Sequence, residues 1–188
     1  MKIFYLCLIL LIPAIVEAKT ESKQYCLRGP LLIKRVCNRL NQIWNEGKTD
    51  LYITGYAWHN RYTYRPEKIK EFNEFAWGGG LGKGFYDEDG DWHGLVAVAF
   101  KDSHNKVEPA AGYAFLKIAR LNEDWRIGAG YFVLITARPD VLHGIPFPGA
   151  APWISLIYRK TSLSASYLPG AQGAGNVLFI FGRHTLDL

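Results

Sequence analysis

The sequence predicts an all-β fold, an eight-stranded antiparallel transmembrane β-barrel preceded by one N-terminal amphipathic helix. Three observations predict it. From Asp50 onward, runs rich in β-branched and aromatic residues follow one another with turn signals between them, at the spacing of a meander. These runs are apolar on both faces, whereas a soluble barrel needs a polar outside and a porin a polar lumen. Past residue 50 helix patterning is nearly absent, which sets aside an α/β protein with a continuously apolar sheet.

The chain opens with Lys2, the apolar run IFYLCLILLIPAIV and then Glu17-Ala18, the pattern of a secretory signal cleaved after Ala18. The run falls short of the roughly 20 residues needed to cross a bilayer as a helix. Residues 19–188 are one domain's worth of chain. In LRGPLLIKRVCNRLNQIWNEG, Ile33, Val36, Leu40, Ile43 and Trp44 recur at helical spacing between basic and amide side chains. This predicts an amphipathic helix over about 30–46, closed by Gly47, and its basic face and Trp44 suit a membrane interface.

Eight strands are expected over 51–64, 75–86, 92–101, 107–121, 125–137, 151–159, 163–168 and 176–186. Turn signals separate them at Asp87 to Gly90, Asn122 to Asp124, Thr161-Ser162 and Gln172 to Asn176. ARPDVLHGIPFPGAAP, with four prolines, is the longest irregular connection. In the third strand one face carries Trp92, Val96, Val98 and Phe100 and the other Leu95, Ala97 and Ala99. In the fifth, Phe132 and Leu134 oppose Ala129, Tyr131, Val133 and Ile135. The expectation drawn from this is bulky residues facing lipid and small apolar ones lining a cavity fit for an acyl chain. The glycines of WGGGLGKG lack the helix and Lys-Ser/Thr ending of a phosphate loop, and suit strand bending or close backbone approach.

Charge and cysteines narrow the function classes. The formal net charge of +5 is modest and dispersed, which argues against nucleic acid and is compatible with anionic lipid headgroups. Of three cysteines, Cys26 and Cys37 survive signal removal and could bond in an oxidising compartment. No His or Cys grouping has metal-ligand spacing, so neither a metal nor a redox cofactor is expected. Between the third and fourth strands lies a polar knot, Lys101, Asp102, Ser103, His104, Asn105 and Lys106, which places a hydroxyl beside an acid at a strand end.

Seven segments, in order along nearly the whole mature chain, resemble the lipid A palmitoyltransferases of the PagP family. They are YAWHNRYTY at 56–64, WGGGLG at 77–82, DEDGDWHGL at 87–95, AFKDSHNKVEPAAGY at 99–113, TAR at 136–138, IPFP at 145–148 and YLPGAQGAGNV at 167–177. The resemblance implies an integral barrel of the Gram-negative outer membrane. It would move an acyl chain, palmitate or slightly shorter, from the sn-1 position of a glycerophospholipid to the N-linked hydroxyacyl chain of lipid A. It would work as a monomer or homodimer. The resemblance makes His59, Asp102 and Ser103 catalytic: His59 as base, Asp102 orienting it or balancing its charge, and Ser103 as nucleophile or hydrogen-bond donor. It pairs Asp87 with Arg138 in lipid A engagement and adds Lys68 as a phosphate contact. Pro152 and Pro169 would weaken the wall where phospholipid enters sideways, while Thr54 and Ala76 stand where the family has prolines on the other side. Tyr113 and Ala114 fall in the segment that forms the pocket floor, Ala114 replacing a glycine, which implies a shorter or branched chain. The alternatives are a non-enzymatic outer-membrane barrel, adhesive or structural, and a lipocalin-like carrier, which would need a polar exterior.

Overall fold

A computed structural model describes residues 26, 30–170 and 175–187; the expected signal segment and most of the Gln172 to Asn176 turn lie outside the described residues. Eight antiparallel strands close into a barrel in sequence order: β1 (Lys48–His59), β2 (Gly78–Tyr86), β3 (Trp92–Lys101), β4 (Val107–Arg120), β5 (Trp125–Thr136), β6 (Phe147–Tyr158), β7 (Thr161–Leu168) and β8 (Val177–Thr185). The strand bounds follow the sequence expectation closely, with two clear differences: β1 runs Lys48–His59 and not 51–64, because the chain turns out of the wall after His59, and β6 starts early. β6 begins at Phe147 because its first part is paired only with β5, where prolines leave few ladder bonds unmade. β1 closes the barrel on β8 from Asp50↔Thr185 to His59↔Val177.

The helix α1 (Leu31–Glu46) lies where expected and packs beside β2 and β3. Only Gln42 and Ile43 are buried, while Leu31, Leu32, Ile33, Val36 and Trp44 remain exposed, an unpartnered apolar face. A disulfide joins Cys26 to Cys37. A second helix, α2 (Pro66–Lys70), sits in the loop after β1 and was not foreseen; its five residues are too few for a periodic signal.

The face assignment is the main correction. On β3 the bulky face, Trp92, Val96, Val98 and Phe100, points inward, and Ala97 and Ala99 are exposed outside. The inner volume that admits these large rings comes from β2, whose lumen-facing positions Gly80, Gly82 and Gly84 carry no side chain. A Cβ at Gly84 would collide with Asp50 and the Trp92 indole, and one at Gly82 with the Tyr52 ring. This is the close approach that the glycines implied. Outside, Ile53 (61%), Ile135 (60%), Ile154 (60%) and Leu163 (61%) are exposed around the wall, a surface that suits lipid and not water.

The lumen has two halves. The half beside α1 and the β2–β3 turn is polar and filled. The Arg183 guanidinium meets Asp50 at 3.3 Å and lies 4.2 Å over the Trp92 ring, Thr185 donates to Asp50, and Ser155 and Ser164 share a hydrogen bond of 2.9 Å. The uniformly apolar inner face expected from the sequence is therefore wrong here: Ser162, Ser164 and Ser166 alternate inward on β7, short residues whose hydroxyls are met from neighbouring strands by Arg183, Ser155 and the Pro152 carbonyl respectively. The opposite half is an apolar cavity of about 670 Å³.

Two wall seams are incomplete at the cavity end. The β1–β2 ladder stops at Thr54↔Gly78 and the β6–β7 ladder at Ile154↔Ala165. Above the first, the Thr54 hydroxyl donates to Ala76 O at 2.7 Å and Ala57 N to Glu74 O at 2.9 Å. Above the second, the Ser166 hydroxyl donates to Pro152 O at 2.7 Å.

Arg183 is 2% and Asp50 0% exposed, so removing one partner leaves the other charge buried. Asp50→Ala should lower stability by about 3–5 kcal/mol, and Asp50→Ala with Arg183→Met should recover most of it. Urea unfolding of protein refolded into phosphatidylcholine vesicles measures both.

Candidate active site

Whether His59 faces the lumen depends on one extra residue. Strict alternation along β1 carries Asp50, Tyr52 and Thr54 inward, and its continuation would send Tyr56 and Trp58 in and His59 out. The β1–β8 register shifts between Thr54 and Tyr56, so Gly55 forms a bulge and Ala57 and His59 become the buried residues. His59 thus ends β1 at the cavity mouth, 1% exposed. Its ring stacks on Phe72 (4.4 Å between centroids, 22° between planes) and meets Tyr64 edge-on at 5.8 Å.

Ser103 arrives from the other side. It sits in the tight turn between β3 and β4, which closes through Asp102 N to Lys106 O and through Asn105 in a left-handed conformation (φ 63°). Its hydroxyl lies 2.8 Å from His59 Nε2. Asn73 N donates to Ser103 O at 2.8 Å, tying this turn to the loop after β1. Two residues 44 positions apart in sequence are therefore held as a hydroxyl and an imidazole at hydrogen-bonding distance, facing an apolar cavity.

Asp102 does not orient His59. Its Oδ1 accepts the backbone N–H groups of His104 and Lys106, each at 2.8 Å, so the side chain shapes the turn that presents Ser103. Its Oδ2 is buried at the mouth with no hydrogen-bond partner among the described residues. The ring's other nitrogen, Nδ1, instead meets Glu74 Oε1 at 3.3 Å. Glu74 also accepts His59 N at 3.0 Å, the Tyr56 hydroxyl at 2.8 Å and Arg61 Nη2 at 2.7 Å. The Arg61 fork holds the Glu74 carboxyl down to about 2, well under the ordinary carboxylate value, with the His59 amide and the Tyr56 hydroxyl assisting against burial. Sequence reasoning missed Glu74, because a lone acid in a loop carries no spacing that marks it.

The remaining expected residues divide between the two ends. Arg138 and Lys68 line the cavity mouth. Arg138 pairs with Asp140 at 2.7 Å and lies 3.7 Å from Glu108, and Lys68 pairs with Glu71 at 2.6 Å. Pro169 lines the cavity, and Pro152 flanks the open part of the β6–β7 seam. Ala114, 1% exposed, lines the cavity beside Trp153, with Leu116 and Trp92 packed behind them in the core. Trp153 was not singled out from sequence; its inward position follows from alternation along β6.

Asp87 is at the opposite end from Arg138, so the expected pair is not one site. Asp87 caps the β2–β3 turn by accepting Asp89 N and Asp91 N, and it meets Arg39 of α1 at 3.3 Å and His93 at 2.9 Å. The Tyr113 hydroxyl is 2.6 Å from the other nitrogen of His93 in this outer cluster, while the residue itself still borders the cavity beside Ala114. Alternation explains it: Ala114 faces in, so Tyr113 faces out. Among the described residues, Asp102, His104 and Asp140 are close enough to hold a cation, an approach the sequence spacing did not show; the Arg138 guanidinium already occupies Asp140.

Residues 39–183 match the family described as antimicrobial peptide resistance and lipid A acylation protein PagP. The chain is 57% identical over 169 residues to a lipid A acyltransferase PagP of Legionella pneumophila, covering 90% of each chain. It is 55% identical over 173 residues to one of Legionella longbeachae, covering 91% of this chain and 75% of that one. To one of Bordetella parapertussis it is 54% identical over 175 residues, covering 93% and 92%.

Because the folded-state pKa of Glu74 lies below its ordinary value of 4.5, its bonds stabilise the mouth fully above about pH 4.5, and that contribution disappears as pH falls toward about 2. Unfolding midpoints stepped from pH 6 to pH 2 should drop across this window, and Glu74→Gln should flatten that part of the curve.

Proposed function

Because the chain belongs to the PagP family of lipid A acylation proteins, we propose that it is an outer-membrane acyltransferase. In this reading it moves a fatty acyl chain from the sn-1 position of a glycerophospholipid to the N-linked hydroxyacyl chain of lipid A. The observation that supports it best is the His59–Ser103 pair, 2.8 Å apart, at the mouth of an apolar cavity inside a barrel whose outside is also apolar.

The donor's acyl chain lies in the cavity with its ester carbonyl at the mouth. Phospholipid enters sideways above Ile154 and Ala165, where β6 and β7 are unpaired and Pro152 has no N–H with which to close the ladder. The seam between β1 and β2 is bridged by two bonds, Thr54 to Ala76 O and Ala57 N to Glu74 O, against the single Ser166 to Pro152 O bond across the β6–β7 opening, and it serves less readily. Lipid A meets the mouth from outside, its phosphates displacing the carboxylates that now hold Arg138 and Lys68. Asp87, at the far end, braces α1 through Arg39 and does not touch either lipid, while Tyr113 flanks Ala114 in the cavity wall.

For transfer, the hydroxyl of the acceptor's acyl chain attacks the ester carbonyl and its proton passes to His59 Nε2. The carbonyl–oxygen bond to glycerol then breaks, and the same proton leaves on that oxygen with the lysophospholipid. Ser103 donates to the carbonyl oxygen as negative charge builds there. It lies in a turn between two strands and not on a strand-to-helix nucleophile elbow, which favours this direct route over an acyl-serine intermediate. Asp102 contributes by fixing the turn and by offering its buried Oδ2 to a donor group of the bound lipids.

Ala114 and Trp153 together set the length of chain that fits. A methylene more or less in a closed apolar pocket discriminates by roughly 1–3 kcal/mol, about 10-fold or more in rate. The preferred chain is therefore shorter than palmitate, or branched, and the Ala114→Gly and Trp153→Ala variants should shift the optimum to longer chains. Transfer from phosphatidylcholines of stepped chain length measures this; a palmitate optimum unmoved in both variants contradicts it.

In detergent, protein refolded from the full mature chain should transfer a labelled sn-1 chain to lipid A, and Ser103→Ala and His59→Ala should each lose at least about 100-fold with the barrel intact. Folded native protein that transfers nothing would instead indicate a structural barrel.

A further inference from the structure

We propose that Glu74 is the positioning residue for His59, so that the carboxylate behind the catalytic base is Glu74 and not Asp102. The proposal rests on the reading of His59 and Ser103 given above. Its geometric basis is independent of it.

An imidazole can act as a base at Nε2 only if its single proton sits on Nδ1, and that tautomer is chosen by what Nδ1 faces. Here Nδ1 faces a carboxylate oxygen at 3.3 Å while Nε2 faces the Ser103 hydroxyl at 2.8 Å. A carboxylate cannot donate while ionised, and the Arg61 fork keeps Glu74 ionised far below neutral pH. The proton is therefore drawn to Nδ1 and the Nε2 lone pair points at Ser103. When His59 becomes a cation during transfer, the same carboxylate stabilises it.

The carboxylate is also held in place. Glu74 accepts the His59 backbone N–H, so ring and acid move as a unit. Its own carbonyl accepts Ala57 N, anchoring the loop to β1 where the β1–β2 ladder has ended. Arg61 grips both oxygens and itself donates to His59 O at 2.7 Å. Phe72 on one ring face and Tyr64 at the edge remove the remaining freedom of the imidazole. Asp102, by contrast, spends Oδ1 on its own turn and makes no bond to His59.

The test uses the refolded full mature chain in the phospholipid-to-lipid A assay, with Glu74→Gln and Glu74→Asp beside Ser103→Ala and His59→Ala. Gln keeps shape and hydrogen-bonding capacity but can present an N–H to Nδ1 and so favours the wrong tautomer. Glu74→Gln should lower kcat by about 10²–10⁴-fold with KM changed less than about threefold, and Glu74→Asp should recover at least about tenfold of that loss. A kcat within about threefold of native in Glu74→Gln, while Ser103→Ala and His59→Ala are inactive, overturns the role of Glu74 and leaves the acyltransfer reading standing. Activity retained in Ser103→Ala and His59→Ala removes that reading and this proposal with it. Should Glu74→Gln fail to fold, ¹⁵N spectra of histidine-labelled native protein decide: His59 protonated on Nδ1 supports the proposal, and on Nε2 overturns it.

Discussion

Side chains on a strand alternate with period two, so the direction in which a residue points is fixed by counting from its neighbours. In β1 the count breaks once, at Gly55. Below the bulge the inward residues are Asp50, Tyr52 and Thr54; above it they are Ala57 and His59. Without the extra residue, His59 would face the apolar exterior and no imidazole would stand over the cavity. The same bulge lies next to the place where β1 loses its partner β2, and the loop residues that take over the exposed backbone groups are those that bring Glu74 and Phe72 against the ring. A local irregularity in one wall strand thus decides both the direction of the base and the identity of its neighbours.

The lumen divides its tasks along the barrel axis. Toward the α1 end, Asp50, Arg183, Thr185 and the β7 serines fill the interior with polar groups that mostly satisfy one another, and the Arg183 charge lies against Trp92. This packing closes the barrel and gives the rings of Trp92 and Trp153 a fixed seat, 5.3 Å apart. Toward the other end lies the apolar cavity, lined by Val96, Val98, Phe132, Leu134 and Phe179. A pocket that stays open in an apolar interior requires a rigid floor, which the polar plug behind Leu116 and Trp92 supplies.

Much of this was legible in the sequence, and the failures have definite causes. Strand number, order and most bounds follow from runs and turn signals, and α1 follows from its periodicity. Which face of β3 is inside does not, because both faces are apolar and the volume for large inward rings comes from glycines on the neighbouring strand β2. The pairing of Asp87 with Arg138 failed, and strand order already implied that failure, because in an up-and-down meander successive connections alternate ends, which puts the β2–β3 turn and the loop after β5 at opposite ends of the barrel. The assignment of Asp102 as the partner of His59 failed for a different reason. An acid beside Ser103 in sequence looks like its helper, but a residue next to a turn serine commonly serves the turn's own amides, while the true neighbour of the ring came from another loop. The signal for Glu74 exists only once Gly55 is recognised as a bulge and the upper end of β1 as unpartnered.

The account requires an acyl chain to run down the lumen, carbonyl at Ser103 and His59, tail at Ala114 and Trp153. The most direct measurement is a crystal structure of the refolded protein with a non-hydrolysable sn-1 ether phospholipid. Continuous chain density from the Ser103 hydroxyl to Ala114, with the headgroup near the open part of the β6–β7 seam, is the predicted result. Lipid found only on the outer wall, with the cavity filled by side chains or water, would contradict it.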